Sequence, residues 1–199
     1  MKRTKEEAEI TRSNILEAAL KVFITKGYRG TRLDDIANEA LVTKGAIYWH
    51  FENKYDLFHK LMLDNMPDIR FLKSLLVSED SSKEKISKAL SFFFEAKAFK
   101  KGNAAFFRLL QVIDVNREEL GEFFELLDEE RDRVISILSK IIENGIDAGE
   151  VPPHVDPYVV GHALFCYGTG FASLNIHDSK FDMEKYSDKV IEIMIRGLF

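Results

Sequence analysis

Apolar positions recur at three- and four-residue spacings along almost the whole chain, and residues able to close helix ends stand between the runs. In "EEAEITRSNILEAALKVFITKGY", Ile15, Ala18, Ala19, Val22 and Phe23 fall on one stripe, and Gly27 follows as a stop. "GTRLDDIANEA" predicts a short helix with Thr31 as N-cap and Asp34 three residues on. Thr43 caps a second short helix, Lys44 to Phe51, and Asn53 with Asp56 opens "KYDLFHKLMLDNM", which Pro67 interrupts. Five further helices are expected. One covers about 68–77, and one starts at Ser81 with Glu84 and ends at Gly102. One is capped by Asn103, one runs from Asn116 and Glu119 to Ala148 before Gly149, and one opens at Asp156-Pro157. A last helix, about 183–197, closes the sequence. No segment pair alternates as strands do, so the expected fold class is all-α.

Composition narrows the picture. A chain of 199 residues with 46% hydrophobic residues and four prolines can bury a core and stay ordered. Its longest apolar runs fall far short of the roughly 20 residues a bilayer span needs. Lys2, Arg3 and Lys5 are followed by acids rather than by an apolar stretch, which argues against a secretory signal. One cysteine, Cys166, excludes an internal disulfide and fits a reducing compartment, so a cytoplasmic location is expected, with Cys166 as a small buried hydrophobe. The five histidines have no metal-ligand spacing and Cys166 has no neighbouring His or acid in sequence. Neither a metal, a cofactor nor an enzyme is expected.

The net charge of −5 is unevenly spread: residues 1–60 hold 11 Lys and Arg against 9 Asp and Glu, while the rest hold 17 against 24. A slightly basic head on an acidic body can turn one end toward phosphate. The chemistry that would do so is concentrated in "DDIANEALVTKGAIYWHFENK", residues 34–54. On a helix over 43–51, Ile47 and Phe51 lie four apart and face inward. Lys44 and Tyr48, also four apart, point elsewhere with Gly45, Trp49 and His50. Two short helices joined by a tight turn, the second with such an outer face, form a helix-turn-helix pattern. Lys44 supplies charge near base edges or phosphate, Tyr48 and His50 can donate to phosphate oxygens, and Gly45 lets the backbone approach the groove wall.

The motif "TKGAIYWHFENK", with "ILEAALKVFITKGYRGTRLDDIA" upstream, resembles the DNA-binding domain of the tetracycline-repressor-like (TetR) family of bacterial transcription regulators, and within it the multidrug-responsive repressors. The match runs over residues 11–58 and includes Gly27, Thr31, Ile36-Ala37, Gly45, Tyr48, His50-Phe51 and Lys54. The resemblance implies a DNA-binding domain at 1–54 and an effector-binding and dimerisation domain at 55–199. It places Thr43, Lys44 and Gly45 at the major groove and Thr31, Tyr48, Trp49, His50 and Lys54 near phosphates of double-stranded operator DNA. The family's usual turn glycine is Leu41 here, which makes the turn's geometry a specific question.

The remaining residues carry weaker signals. Three consecutive phenylalanines, Phe92, Phe93 and Phe94, span about 200° of a helix and cannot share one core stripe. With the polar residues that interrupt the apolar faces, they suggest a pocket. Its candidate lining is Phe92, Phe93, Phe99, Asn103, Phe107, Gln111, Phe124, His162 and Phe165, for which an ordinary aromatic core is the alternative. The resemblance implies a small hydrophobic effector there. Gly161, Gly168 and Ala172 share a helix face that suits either docking on a second copy or close packing within the chain. The resemblance favours a homodimer through the last two helices, about 157–174 and 183–197. A ligand-responsive regulator, most simply a repressor released from a palindromic operator, is thus the expected function. A helical sensor or scaffold dimer that has lost DNA binding is the rival.

Overall fold

The computed structural model describes residues 5–66, 68–94, 109–110, 120–177 and 182–198. Among these, the regular elements are all helices: α1 (Lys5–Gly30), α2 (Leu33–Glu39), α3 (Lys44–His50), α4 (Lys54–Asn65), α5 (Arg70–Leu75), α6 (Ser82–Phe94), α7 (Gly121–Asp147), α8 (Pro157–His177) and α9 (Met183–Arg196). The all-α expectation holds. The helix expected over 104–114 is described only at Leu109 and Leu110. The opening at Asn116 and Glu119 also lies outside the described residues, as do Phe99, Asn103, Phe107 and Gln111.

Most helix starts are built as their sequences suggest. The Thr43 hydroxyl accepts from the Ala46 amide at 3.2 Å, and the Asn53 carbonyl oxygen accepts from the Asp56 amide at 2.9 Å. Ser81 and Glu84 form a reciprocal box, and Asp156 accepts from the Tyr158 and Val159 amides. One cap is displaced. Arg32, not Thr31, is the N-cap of α2, and its amide donates to the Asp35 carboxylate at 2.9 Å. Thr31 is instead buried, 2% exposed, and its hydroxyl donates to the Gly27 carbonyl at 2.7 Å. Gly27 takes φ 69°, ψ 169° and kinks α1, which resumes for one short turn before Gly30.

The chain divides into two compact units: residues 1–66 with 102–124, and residues 67–101 with 125–199. In the first, α1 packs on α2, α3 and α4. The Ile15, Ala18, Ala19, Val22 and Phe23 stripe is buried there with Ile36, Ile47, Phe51, Leu57 and Phe58. Aromatic edges knit it together: Phe58 meets Phe23, Tyr28 and Phe123 at centroid distances of 5.4, 5.0 and 5.3 Å.

In the second unit, α6 packs against α5, α8 and α9 and supplies the centre of a core that includes Leu72, Ile86, Leu90, Leu138, Ile141, Leu164, Val190 and Ile195. Its three phenylalanines are all buried because each finds a different partner. Phe92 stacks on Phe71 (5.5 Å), Phe93 meets Phe165 edge-on (6.2 Å), and Phe94 meets Phe171 (5.9 Å).

On α8 one expectation is corrected and one of two alternatives is selected. Cys166 is exposed, not buried, because it lies on the α8 face opposite Leu164 and Gly168. The face shared by Gly161 and Gly168 is occupied within the chain. A Cβ at Gly168 would lie 2.6 Å from the Phe93 ring, and one at Gly161 would meet Ser139 of α7. These glycines admit close helix approach inside the unit, whereas Gly170 has open space around it.

Candidate nucleic-acid interface

The first unit presents α3 on a scaffold fixed from beneath. Ile47 is fully buried and Phe51, the C-cap, is 1% exposed, so the inward pair anchors the helix as its spacing suggested. The opposite side is open: Tyr48 is 52% and Trp49 72% exposed, and Thr43, Lys44 and Gly45 are exposed with them. Large aromatic surface left in water on a helix this short has no packing rationale in the described chain, and it suits contact with a partner. Gly45 has no internal reason to be glycine, since a Cβ there would meet nothing nearer than the Thr43 hydroxyl at 3.8 Å. The space it leaves is on the outside.

The turn that sets α3 is tight. The Val42 amide donates to the Ala37 carbonyl at 2.9 Å and the Leu41 amide to the Asn38 carbonyl at 3.2 Å. Leu41 adopts φ 54°, the one non-glycine residue with positive φ among those described, and its side chain is 93% exposed. The turn keeps the left-handed geometry a glycine would adopt, and no packing of the leucine offsets the strain.

The residues expected at phosphates divide into two groups. His50 is half-buried, with its ring edge-on to Trp49 at 4.5 Å. Trp49, His50 and Tyr48 therefore sit together at the end of α3. Thr31 and Lys54 are engaged inside the unit. The Lys54 ammonium donates to the Tyr28 carbonyl (2.9 Å) and the Thr31 carbonyl (3.2 Å), and lies 4.2 Å from the Tyr28 ring centroid. In this geometry Lys54 ties the start of α4 to the corner between α1 and α2, and Thr31 supplies that corner's inner hydrogen bond.

Charges on α2 are matched one by one. Asp35 reaches Lys26 at 2.7 Å, Glu39 reaches Lys21 at 3.4 Å, and Asp34 reaches Lys44 at 2.9 Å. The Lys26 hydrogen bond, with the Arg32 amide, holds the Asp35 carboxyl below its ordinary value. The hydrogen bond to Asp34 raises the Lys44 ammonium above its ordinary value. Sequence reading placed Lys44 in the site without Asp34. Only the turn geometry brings a residue ten positions upstream to its side.

The described pocket candidates belong to both units. Phe92 and Phe93 are core residues of the second unit, with Phe165 half-buried against Phe93. Phe124 is grouped with the first unit, beside Phe123 at 5.9 Å. His162 is half-buried on α8, its Nδ1 2.9 Å from the Tyr158 carbonyl and its ring 4.2 Å from the Tyr158 ring.

The head's geometry agrees with comparisons to known proteins. The family model described as "Bacterial regulatory proteins, tetR family" matches residues 15–61, which span the larger part of α1 through most of α4. Over 205 aligned residues the chain is 30% identical to the HTH-type transcriptional regulator TtgR of Pseudomonas putida, covering 98% of this chain and 96% of that one. The chain belongs to the TetR family. This TetR-family chain is also 51% identical over 71 residues to the probable acrEF/envCD operon repressor of Escherichia coli, 36% of this chain and 32% of that protein. Its fold is similar to that of NalD, described as the secondary repressor of the MexAB-OprM multidrug efflux pump in Pseudomonas aeruginosa. There the TM-score is 0.83, at 28% identity over 98% of each chain. The TetR-family chain is accordingly a helix-turn-helix transcriptional regulator, as the resemblance implied. Among its described residues, no helix is long and apolar enough to cross a membrane.

Proposed function

We propose that this TetR-family regulator is a repressor that binds a roughly palindromic operator as a homodimer and is released by a small hydrophobic effector. The observation that carries the reading is the open face of α3. Lys44, Tyr48 and Trp49 are exposed around a glycine with free space outside it, while Ile47 and Phe51 fix the helix from behind. Thr43, Lys44 and Gly45 would meet the major groove, and Tyr48, Trp49 and His50 the flanking phosphates. Thr31 and Lys54 would act indirectly, by holding the corner on which α3 rests. In this reading residues 1–54 form the DNA-binding part and 55–199 the effector-binding and dimerising part.

Two further observations support it. On α8 and α9 the large apolar side chains of Tyr158, Val159 and Ile193 are exposed, and a second copy docking through the last two helices would cover them. The aromatic wealth around α6 suits a greasy effector, whose site would draw on Phe92, Phe93, Phe165 and the candidates outside the described residues. Release is then a population shift: an effector that prefers the non-binding spacing of two heads by about 2–3 kcal/mol lowers operator affinity roughly 30–150-fold.

The test is fluorescence anisotropy with the DNA upstream of the protein's own gene, over a salt series, with and without hydrophobic candidate ligands. A dimer making about 6–8 phosphate contacts loses on the order of a thousandfold in affinity between 50 and 200 mM salt. Weak binding without salt dependence to every upstream fragment would instead favour the scaffold reading.

A further inference from the structure

Asp34 has no role in the reading above, yet it makes an ion pair from α2 to α3, at 2.9 Å from the Lys44 ammonium. Both partners are exposed, 61% and 46%, so the pair adds little to stability. Its position is nevertheless fixed. Asp34 lies in the first turn of α2, two and three residues before the buried Ile36 and Ala37 that clamp that helix to α1. Each other acid of α2 turns back to a lysine of α1; only Asp34 reaches across the turn to the helix that would enter the groove.

We infer that Asp34 is a positioning residue that aims the Lys44 ammonium at base edges and keeps it off the phosphate backbone, so that it sets the discrimination between operator and unrelated DNA. A free lysine is a point charge on a long flexible stem, and it settles on the nearest phosphate. Held by Asp34, the ammonium has one of its three N–H groups engaged and two left, matching the paired O6 and N7 acceptors of a guanine. The carboxylate also repels phosphate oxygens, which carry the same charge, while leaving neutral base acceptors unaffected. Tyr48 stands one turn further along α3, and its phenol hydroxyl does not replace the carboxylate as the ammonium's partner.

The inference rests on the proposed DNA binding, and the experiment separates the two. Wild type, Asp34→Asn, Lys44→Gln and the double variant are titrated, from 50 to 200 mM salt, with the footprinted segment of the protein's own upstream DNA and with a shuffled duplex of equal length and composition. Asp34→Asn is expected to bind the shuffled duplex several-fold more tightly, with a log–log salt slope steeper by about 0.9 for each head engaged. Binding to the footprinted segment should stay level or weaken, so that the ratio falls about fivefold or more. In the Lys44→Gln background the same substitution should leave the ratio unchanged. A ratio unaltered by Asp34→Asn, or an Asp34 effect that persists without Lys44, overturns the positioning role while leaving DNA binding intact. Absence of salt-dependent wild-type binding to the upstream DNA overturns both. A thermal midpoint equal to wild type in Asp34→Asn confirms that the readout is recognition rather than folding.

Discussion

Leu41→Gly tests whether the strained turn is maintained for stability. Leu41 sits at φ 54° with 93% of its surface in water. Relieving a left-handed conformation in a non-glycine residue returns about 1–2 kcal/mol. Glycine gives back roughly 0.5–1 kcal/mol through its greater freedom in the unfolded chain. Almost no packing is lost, so the variant should be neutral to about 1.5 kcal/mol more stable. For a chain of this size each kcal/mol raises Tm by roughly 2–4 °C. The assay is urea and thermal unfolding followed by circular dichroism at one fixed protein concentration, since dimerisation makes the midpoint concentration-dependent. Leu41→Ala is the control: it keeps the left-handed strain, removes the exposed side chain, and should stay within about 0.5 kcal/mol of wild type. A Leu41→Gly protein less stable by more than about 0.5 kcal/mol would refute the reasoning, because it would mean that the leucine side chain holds the turn.

Other substitutions probe other contacts. Lys44→Ala should weaken binding to the upstream operator by about 1–3 kcal/mol with an unchanged thermal midpoint, as read by anisotropy; equal affinity would remove Lys44 from the interface. Trp49 is the sole tryptophan and is 72% exposed, so saturating operator DNA should quench or shift its emission, and a constant spectrum would place it away from the duplex. Lys54→Met removes the ammonium from the Tyr28 and Thr31 carbonyls, of which Tyr28 keeps the Thr31 amide at 3.3 Å, and should cost about 1–3 kcal/mol in urea unfolding; an unmoved midpoint would mean that water replaces the ammonium at no cost. Gly168→Ala drives a methyl into the Phe93 ring and should destabilise by about 1–3 kcal/mol, less any gain in helix propensity. Gly170→Ala, with open space around it, should gain up to about 1 kcal/mol of propensity, and equal responses at the two glycines would contradict the packing described.

Much of the head was legible in the sequence because its signals are local. A hydroxyl or carboxamide oxygen three residues ahead of an amide caps a helix, and a four-residue spacing fixes a shared face, so Thr43, Asn53, Ile47 and Phe51 stand where those rules put them. The displaced cap of α2 shows the limit. Thr31 and Arg32 compete for one position, and the kink at Gly27 decides between them by turning the threonine hydroxyl inward. Pairings across a turn, such as Asp34 with Lys44, leave no periodic trace. Periodicity failed in a different way on α8. It correctly grouped Gly161 with Gly168, but which surface lies against that face depends on where α6 and α7 pack, and the exposed Cys166 follows from the same choice. The pocket was hardest, because aromatic side chains carry the same pattern whether they line a cavity or fill one.

The three phenylalanines of α6 also limit how that helix can move. Each ring is seated against a different residue, Phe71 of α5 or Phe165 and Phe171 of α8, so the helix is keyed to two neighbours through three contacts. Turning it about its own axis by one residue, about 100°, would unseat all three rings at once. Emptying even one such seat costs on the order of 3–5 kcal/mol. Sliding along its length or tilting as a rod keeps each ring near its own partner. Any displacement passed through α6 is therefore restricted to translation and tilt, and the helix behaves as a piston rather than an axle.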